Sequence, residues 1–266
     1  GQKLLSSFGT ESVVTMSTPV PFDVRLGLTK ELDVSFPLRW GIVGACDIAS
    51  DWVKCLKEVP GAVVKAVAAR SHDRAKEWAA KHNIPTTHES YDALFADPDL
   101  DIVYISTINS THKDLTLRAI EAGKHVLCEK PLAESLADAE DMYRAADQKG
   151  VTLLEGMWAR FFPAMDKARE LIESGQIGEI TYVHSEFPDL CYAVQAAPLA
   201  FGDQAQLRCV CAAGVDTAPI PPIGQSGAVA HFDKGCALFG FPKFESEFLE
   251  TTEIIGSRGR ISLQNY

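Results

Sequence analysis

Lys130 stands in the turn Glu129-Lys130-Pro131, directly after the apolar run His125-Val126-Leu127-Cys128. A lysine at such a point can donate a hydrogen bond or a proton to a substrate oxygen, and its pKa shifts readily once it is partly desolvated. Pro131 fixes its own φ and stiffens the turn. A merely solvated lysine is the plain alternative. A second set lies upstream, where Arg39-Trp40-Gly41-Ile42-Val43-Gly44 reads as a buried strand running into a helix. That junction offers unpaired backbone N–H groups and the positive end of a helix dipole to a pyrophosphate. Gly44 holds the first glycine place of such a turn, Cys46 stands in the second and Ala49 in the third. Ala is an allowed variant in third place, whereas Cys46 replaces the glycine that lets a phosphate come closest. An ordinary βα turn is the competing reading.

The end of the next strand bears on which dinucleotide is bound. An acidic side chain there would bind a ribose 2′-hydroxyl, whereas arginine accommodates a 2′-phosphate. The residue is Arg70, with Arg74 four positions on, near a helix start where a cation is unfavourable against the dipole. NADP is expected rather than NAD, the alternative being two solvated surface charges. Asn109 and His112 follow the next strand and are placed to line the same cleft, a capping or packing histidine at the helix start being the alternative. Trp158, Arg160, Phe161 and Phe162 form an aromatic and basic cluster, either packing at a domain junction or walling a substrate pocket. No metal is expected. None of the seven histidines pairs at ligand spacing, and Cys209-Val210-Cys211 is too tight and lacks a second ligand pair.

These side chains need a scaffold, and the apolar pattern supplies one. Strands are expected at 39–44, 62–69, 101–106, 125–128 and 151–155, with helices at 48–58, 74–82, 91–95, from Ser110 or Thr111 to Gly123, and 136–149. Strands alternating with helices of about 10 residues mean βαβ units and a parallel sheet with helices on both faces. The expectation is therefore an α/β chain. Its first domain, 38–156, is a Rossmann-type doubly wound parallel sheet. A smaller, incomplete α+β domain at 157–266 is built on a mainly antiparallel sheet. Within it, 164–174 reads as a helix and 180–187 as a strand. Residues 188–225 show no clean period, and short strands with turns at 233–235 and 256–259 follow. Residues 1–37, which open on Gly1 and contain Met16, are expected to be a poorly ordered extension.

With 266 residues, two modest domains are expected, at roughly 100 to 200 residues each. Hydrophobic residues make up 46% and charged residues 23%, which excludes disordered and fibrous classes. A net charge of −11 disfavours nucleic acid, whose phosphates call for a basic surface. No run approaches the roughly 20 apolar residues that span a bilayer, so no membrane partner is expected. Seven cysteines, an odd number set mostly in apolar segments, point to reduced thiols in a cytoplasmic chain.

Five segments taken together are more specific. They are Gly41-Ile42-Val43-Gly44-Ala45-Cys46-Asp47-Ile48-Ala49, Ala68-Ala69-Arg70, Ser110-Thr111-His112, Glu121 to Pro131, and Met157-Trp158-Ala159-Arg160-Phe161-Phe162-Pro163. In this order and spacing the chain resembles the glucose-fructose oxidoreductase and inositol dehydrogenase family from 38 to 187, and within it the dihydrodiol and NADP-linked D-xylose dehydrogenases. The resemblance implies hydride transfer between NADP and a secondary alcohol of a sugar or trans-dihydrodiol, with Lys130 as the catalytic lysine. It implies a cofactor held by Gly44, Ala45, Cys46, Asp47, Ile48, Arg70, Arg74, Thr107, Asn109, His112, Glu129 and Lys130. It places Trp158, Arg160 and Phe187 at the substrate and makes a homodimer the expected assembly. The family's Asp-x-Gly-x-Tyr motif is not found beyond Phe187, so a non-catalytic NADP-binding protein or a truncated form of the enzyme is the alternative.

Overall fold

The structure, a computed structural model, describes residues 37–187, 190–202, 205–214, 226–241 and 250–264. The expected extension at 1–37 lies, apart from Pro37, outside the described residues, as does much of 188–225. The first sheet alternates with helices in the expected way. Its elements run β1 (Leu38–Val43), α1 (Asp47–Lys57), β2 (Ala62–Ala68), α2 (His72–His82), β3 (Thr86–His88), α3 (Tyr91–Phe95), β4 (Ile102–Ile105), α4 (His112–Glu121), β5 (His125–Cys128), α5 (Leu136–Lys149) and β6 (Leu153–Glu155). A 3-10 turn over Asn109–Thr111 precedes α4.

The strand order is β3-β2-β1-β4-β5-β6 and every pairing is parallel. A parallel sheet is covered on both faces, so its strands read as continuous apolar runs. Ile42, Val43, Val67, Val103 and Ile105 are accordingly fully buried. The order reverses at β1, between β2 and β4, and ligands of open α/β sheets bind outside the carboxyl ends of strands at that switch. Local chemistry sets the helix ends. Ser71, Ser90 and Ser135 each accept the backbone N–H three residues on, opening α2, α3 and α5. Asn83 and Gly150 close α2 and α5 in the left-handed conformation. The strand expected at 101–106 is thus the fourth, because β3, a Thr-Thr-His edge segment with no apolar period, precedes it.

β1 is tied to β4 at its start. Arg39 donates from Nη2 and Nε to the two oxygens of Asp101 at 2.6 and 2.9 Å, and its backbone N–H adds a third bond at 2.8 Å. The Arg39 guanidinium holds the Asp101 carboxyl below the usual carboxylate range. A folded pKa below the unfolded one means stability present above about pH 4 and lost as the pH falls through the folded value. Asp101→Asn is therefore expected to cost about 1 kcal/mol at neutral pH. Thermal melts from pH 7 to pH 3 should show the gap from wild type closing on the acid side, and a gap independent of pH would refute the assignment.

The second sheet has the order β12-β11-β7-β10-β9-β8. Its strands are β7 (Ile180–Glu186), β8 (Leu207–Gly214), β9 (Ser226–Phe232), β10 (Cys236–Phe241), β11 (Thr251–Gly256) and β12 (Arg260–Gln264). All pairings are antiparallel except β7 with β10. α6 (Pro163–Glu173), α7 (Leu190–Val194) and α8 (Ala196–Phe201) share a core with one face of this sheet through Met165, Ala168, Val183, Ala197, Phe201, Phe239 and Ile254. The period missing from 188–202 has a physical cause. The buried residues of α7 and α8 are largely alanines, Ala193, Ala196, Ala197 and Ala200, which leave no hydrophobic stripe to read. Along each strand the side chains alternate, so Tyr182, His184, Leu238 and Ile255 occupy the opposite face. Among the described residues, no helix is long and apolar enough to cross a membrane.

Candidate active site

β1 ends on Gly44, whose φ of +110° is open to glycine and strained for other residues. A Cβ there would lie 3.0 Å from Ser106 Oγ and 3.1 Å from Ser106 O, at the end of β4. Backbone and β4 therefore approach closely at the switch point. Cys46 is the N-cap of α1, with φ −136° and ψ 177°. That is extended backbone, which any residue adopts, and its thiol turns toward Ser106 O at 3.2 Å. The exception to the glycine pattern is thus accommodated without strain. Ala49 is fully buried where the third glycine packs a helix on its sheet.

Gly44, Ala45 and Cys46 open into a cleft of about 470 Å³ that Arg70, Arg74 and Thr107 also line. Arg70 and Arg74 are exposed, and Arg74 Nε donates to Ala45 O at 3.1 Å, which fixes the guanidinium against the turn. The cleft fits a dinucleotide: a helix N-terminus, a glycine a Cβ would crowd, and two cations that suit phosphate. Sequence reading missed Tyr91 and Arg118 on the same wall. Arg118 donates to Asp114 one turn back at 2.8 Å and also to Asp92, so by spacing alone it looks like a solvated helix pair. Asp47 and Ile48 are exposed in the first turn of α1, and Asn109 is exposed in the 3-10 turn; none of the three lines this cleft.

His112 takes the packing place, the alternative for a histidine at a helix start. It is fully buried, with Nδ1 2.9 Å from Pro131 O and Nε2 3.1 Å from Thr107 O. With its two nitrogens facing backbone carbonyls, one of which accepts the ring N–H, it lies between the loop after β4 and the loop after β5 and does not line the cleft. The second of these loops is Glu129-Lys130-Pro131, with a cis peptide before Pro131. Glu129 accepts Tyr104 Oη at 2.5 Å and the Lys130 backbone N–H at 3.1 Å. Burial first, and then the Glu129 carboxylate, push the Tyr104 hydroxyl far up, so it stays a donor. Glu155 accepts the Leu132 N–H at 2.9 Å. Glu129 is in this way a buttress of the lysine turn.

Lys130 Nζ lies 4.6 Å from the centroid of the Tyr192 ring. Tyr192 stacks on Phe187, centroids 5.5 Å apart, and accepts a hydrogen bond from Trp158 Nε1. Trp158 in turn packs edge-on against Phe162 at 5.6 Å. Trp158 and Phe187, both expected at the substrate, thus meet on Tyr192, whose ring faces Lys130 Nζ. Burial raises the Tyr192 hydroxyl above the ordinary tyrosine value, so it is neutral. Arg160 is separated from this group. It is exposed and lines a second cleft of about 740 Å³ with Arg169, Glu173 and Gln195. No group of three or more His, Cys, Asp or Glu side chains among the described residues is placed to hold a metal. An ammonium at a sheet edge, walled by aromatic rings, suits proton exchange with the oxygen of a ring-bearing small molecule.

A family model described as an oxidoreductase family with an NAD-binding Rossmann fold matches residues 38–157. Over these residues the chain is similar to that family. The match takes in Gly44, Arg70 and Lys130 and stops before Trp158, Phe187 and Tyr192. Trans-1,2-dihydrobenzene-1,2-diol dehydrogenase of Mus musculus is 44% identical over 152 residues, covering 56% of this chain and 46% of that protein. The protein of the same name from Xenopus tropicalis is 36% identical over 178 residues, with 65% and 54% covered. The chain spans about half the length of the curated relatives it matches. Among solved structures, a 3-ketoreductase from Actinomadura kijaniata in complex with NADP has a TM-score of 0.74 at 27% identity, covering 86% of this chain and 76% of that one. An oxidoreductase domain protein from Kribbella flavida reaches 0.78 at 22% identity, with 86% and 74% covered, and shares the fold.

Proposed function

We propose that this chain is an NADP-dependent dehydrogenase that moves a hydride between NADP and a secondary alcohol of a sugar or trans-dihydrodiol. Residues 38–156 bind the dinucleotide, and residues 157–266 supply the substrate wall and the face of a homodimer. The observation that carries this reading is the position of Lys130, at the carboxyl edge of the first sheet and against the Tyr192 ring, on which Trp158 and Phe187 pack. The bound dinucleotide supplies the hydride acceptor. Lys130 holds or moves the proton at the substrate oxygen, Glu129 and His112 keep its turn in place, and the aromatic rings take the apolar side of the substrate. The names of the relatives support the diol, and the half-buried Tyr182 and Leu238 on the sheet face opposite α6 to α8 support the dimer. The cysteine usage supports a cytoplasmic setting.

NADP is preferred to NAD in this reading because β2 runs into Ala69 and Arg70 with no carboxylate at its end, and Arg74 stands beside it on the cleft wall. Two charge-assisted contacts to a 2′-phosphate are each worth about 1.5 to 3 kcal/mol. The double variant Arg70→Ala, Arg74→Ala is expected to weaken NADPH binding by at least about a hundredfold and NADH binding by less than about threefold. Nicotinamide fluorescence titrations read both values, and equal losses for the two nucleotides would contradict the assignment. The activity itself is tested by following NADP reduction with D-xylose and with a trans-dihydrodiol. No reduction with either at saturating NADP would reject it and favour a protein that only binds the nucleotide.

A further inference from the structure

The cleft of about 740 Å³ beside α6 and α8 shares no wall residue with the dinucleotide cleft, and its size is that of an ordinary small-molecule site. Gln195, the N-cap residue of α8, forms part of its wall. That side chain is only 6% exposed, and neither its amide nitrogen nor its amide oxygen has a hydrogen-bond partner. Buried amides are nearly always bonded, and leaving one without partners costs stability. The exposed Arg160 guanidinium lines the same cleft and pairs with no carboxylate among the described residues, whereas Arg169 beside it donates to Asp166 at 3.0 Å. Glu173 and Glu179 stand exposed on the wall, with Ile172 and Leu199 as its apolar part.

We infer that this cleft is a second ligand site, taking a small polyhydroxylated carboxylate of the sugar-acid class. A carboxylate matches the two-pronged guanidinium of Arg160. An amide both donates and accepts, which suits neighbouring hydroxyl groups, and these supply Gln195 with the partners it lacks in the protein. Glu173 and Glu179 accept from further hydroxyls, and the C–H face of the ligand meets Ile172 and Leu199. A purely anionic ligand would be repelled by the two glutamates, and a purely apolar one would leave Gln195 unpartnered. The site needs neither the nucleotide nor Lys130, so it stands apart from the proposed function.

The test is calorimetric titration of the full chain with D-gluconate. D-glucitol, which has the hydroxyls and no charge, and acetate, which has the charge and no hydroxyls, are the controls. Gluconate is expected to bind at about 1 mM or tighter, ordinary for a ligand of its size, and both controls at least about tenfold more weakly. Arg160→Ala should weaken gluconate at least about tenfold. Gln195→Met keeps the length of the side chain and removes the amide. It should weaken gluconate at least about fivefold and, without ligand, raise the melting temperature by roughly 2 to 4 °C, because a buried amide without partners is gone. Lys130→Met, in the other site, should leave gluconate affinity within about twofold of wild type. No binding of gluconate at about 10 mM overturns the inference. So does equal affinity for glucitol or acetate, because the cleft then reads hydroxyls or charge alone. A lower melting temperature for Gln195→Met also overturns it, since the amide is then bonded within the fold. Weakening by Lys130→Met and not by Arg160→Ala would move the ligand to the lysine turn and overturn it as well. None of these readings uses turnover, so the proposed function can fail without the site failing.

Discussion

Lys130→Met is expected to lower kcat by at least about a hundredfold while leaving the dissociation constant for NADPH within about threefold, the range in which loss of general acid–base assistance falls. The separation of the two effects follows from how the turn is built. What holds the loop after β5 is Glu129 accepting the Lys130 backbone N–H, Glu155 accepting the Leu132 N–H, and His112 on Pro131 O. None of these uses the lysine ammonium, so methionine, which keeps an unbranched stem, leaves the turn intact. What disappears is the charged tip on the Tyr192 ring, which in the proposed function acts in the step and not in holding the nucleotide. An interaction made only in the transition state lowers kcat and kcat/KM together. Steady-state rates with the better substrate, alongside a fluorescence titration of NADPH, give both numbers. A variant that keeps a tenth or more of the wild-type kcat would remove Lys130 from the chemistry, and one that no longer binds NADPH would make its role structural.

How much of this site can be read in the sequence depends on how far apart its parts are along the chain. Gly44, Arg70 and Lys130 each follow a strand, so a local pattern of apolar run and turn is enough to put them at one sheet edge. The pairing of Lys130 with Tyr192 is a contact between the loop after β5 and α7, far apart along the chain, and Tyr192 sits on a five-residue helix with no apolar period. No local signal encodes it. Arg118 was hidden by its neighbour Asp114, which makes it look like any exposed helical ion pair. His112 was legible as a polar residue at the right place but not as a buried one, because burial depends on the loop that carries Pro131. Arg160 adjoins Trp158 in sequence, yet the 3-10 turn over Trp158–Phe161 leaves it on the wall of another cleft. The glycine pattern carries a further lesson: residue type alone made Cys46 an obstacle, whereas its extended φ carries no strain and its thiol is turned onto Ser106 O.

That last point yields a pair of substitutions with opposite expected outcomes. Gly44→Ala is expected to destabilise the fold by about 2 to 4 kcal/mol and to weaken NADPH binding by at least about tenfold. The φ of +110° lies where an L residue is strained, and the new Cβ would meet Ser106 O at 3.1 Å. Ser106 has little room to yield, because its N–H donates to Val43 O at 2.9 Å and its hydroxyl lies 3.2 Å from both Val43 O and Gly44 O. The turn must therefore shift against β4, and with it the first N–H groups of α1 on which phosphate affinity depends. For a domain of this size the melting temperature should fall by roughly 5 to 10 °C. Cys46→Gly should keep NADPH affinity at or above wild type, because its backbone is already extended and only a thiol leaves the cleft wall. Thermal melts with and without NADPH separate the two substitutions. If Gly44→Ala melts within about 1 °C of wild type and binds as well, the close approach of β1 to β4 is not what shapes this turn.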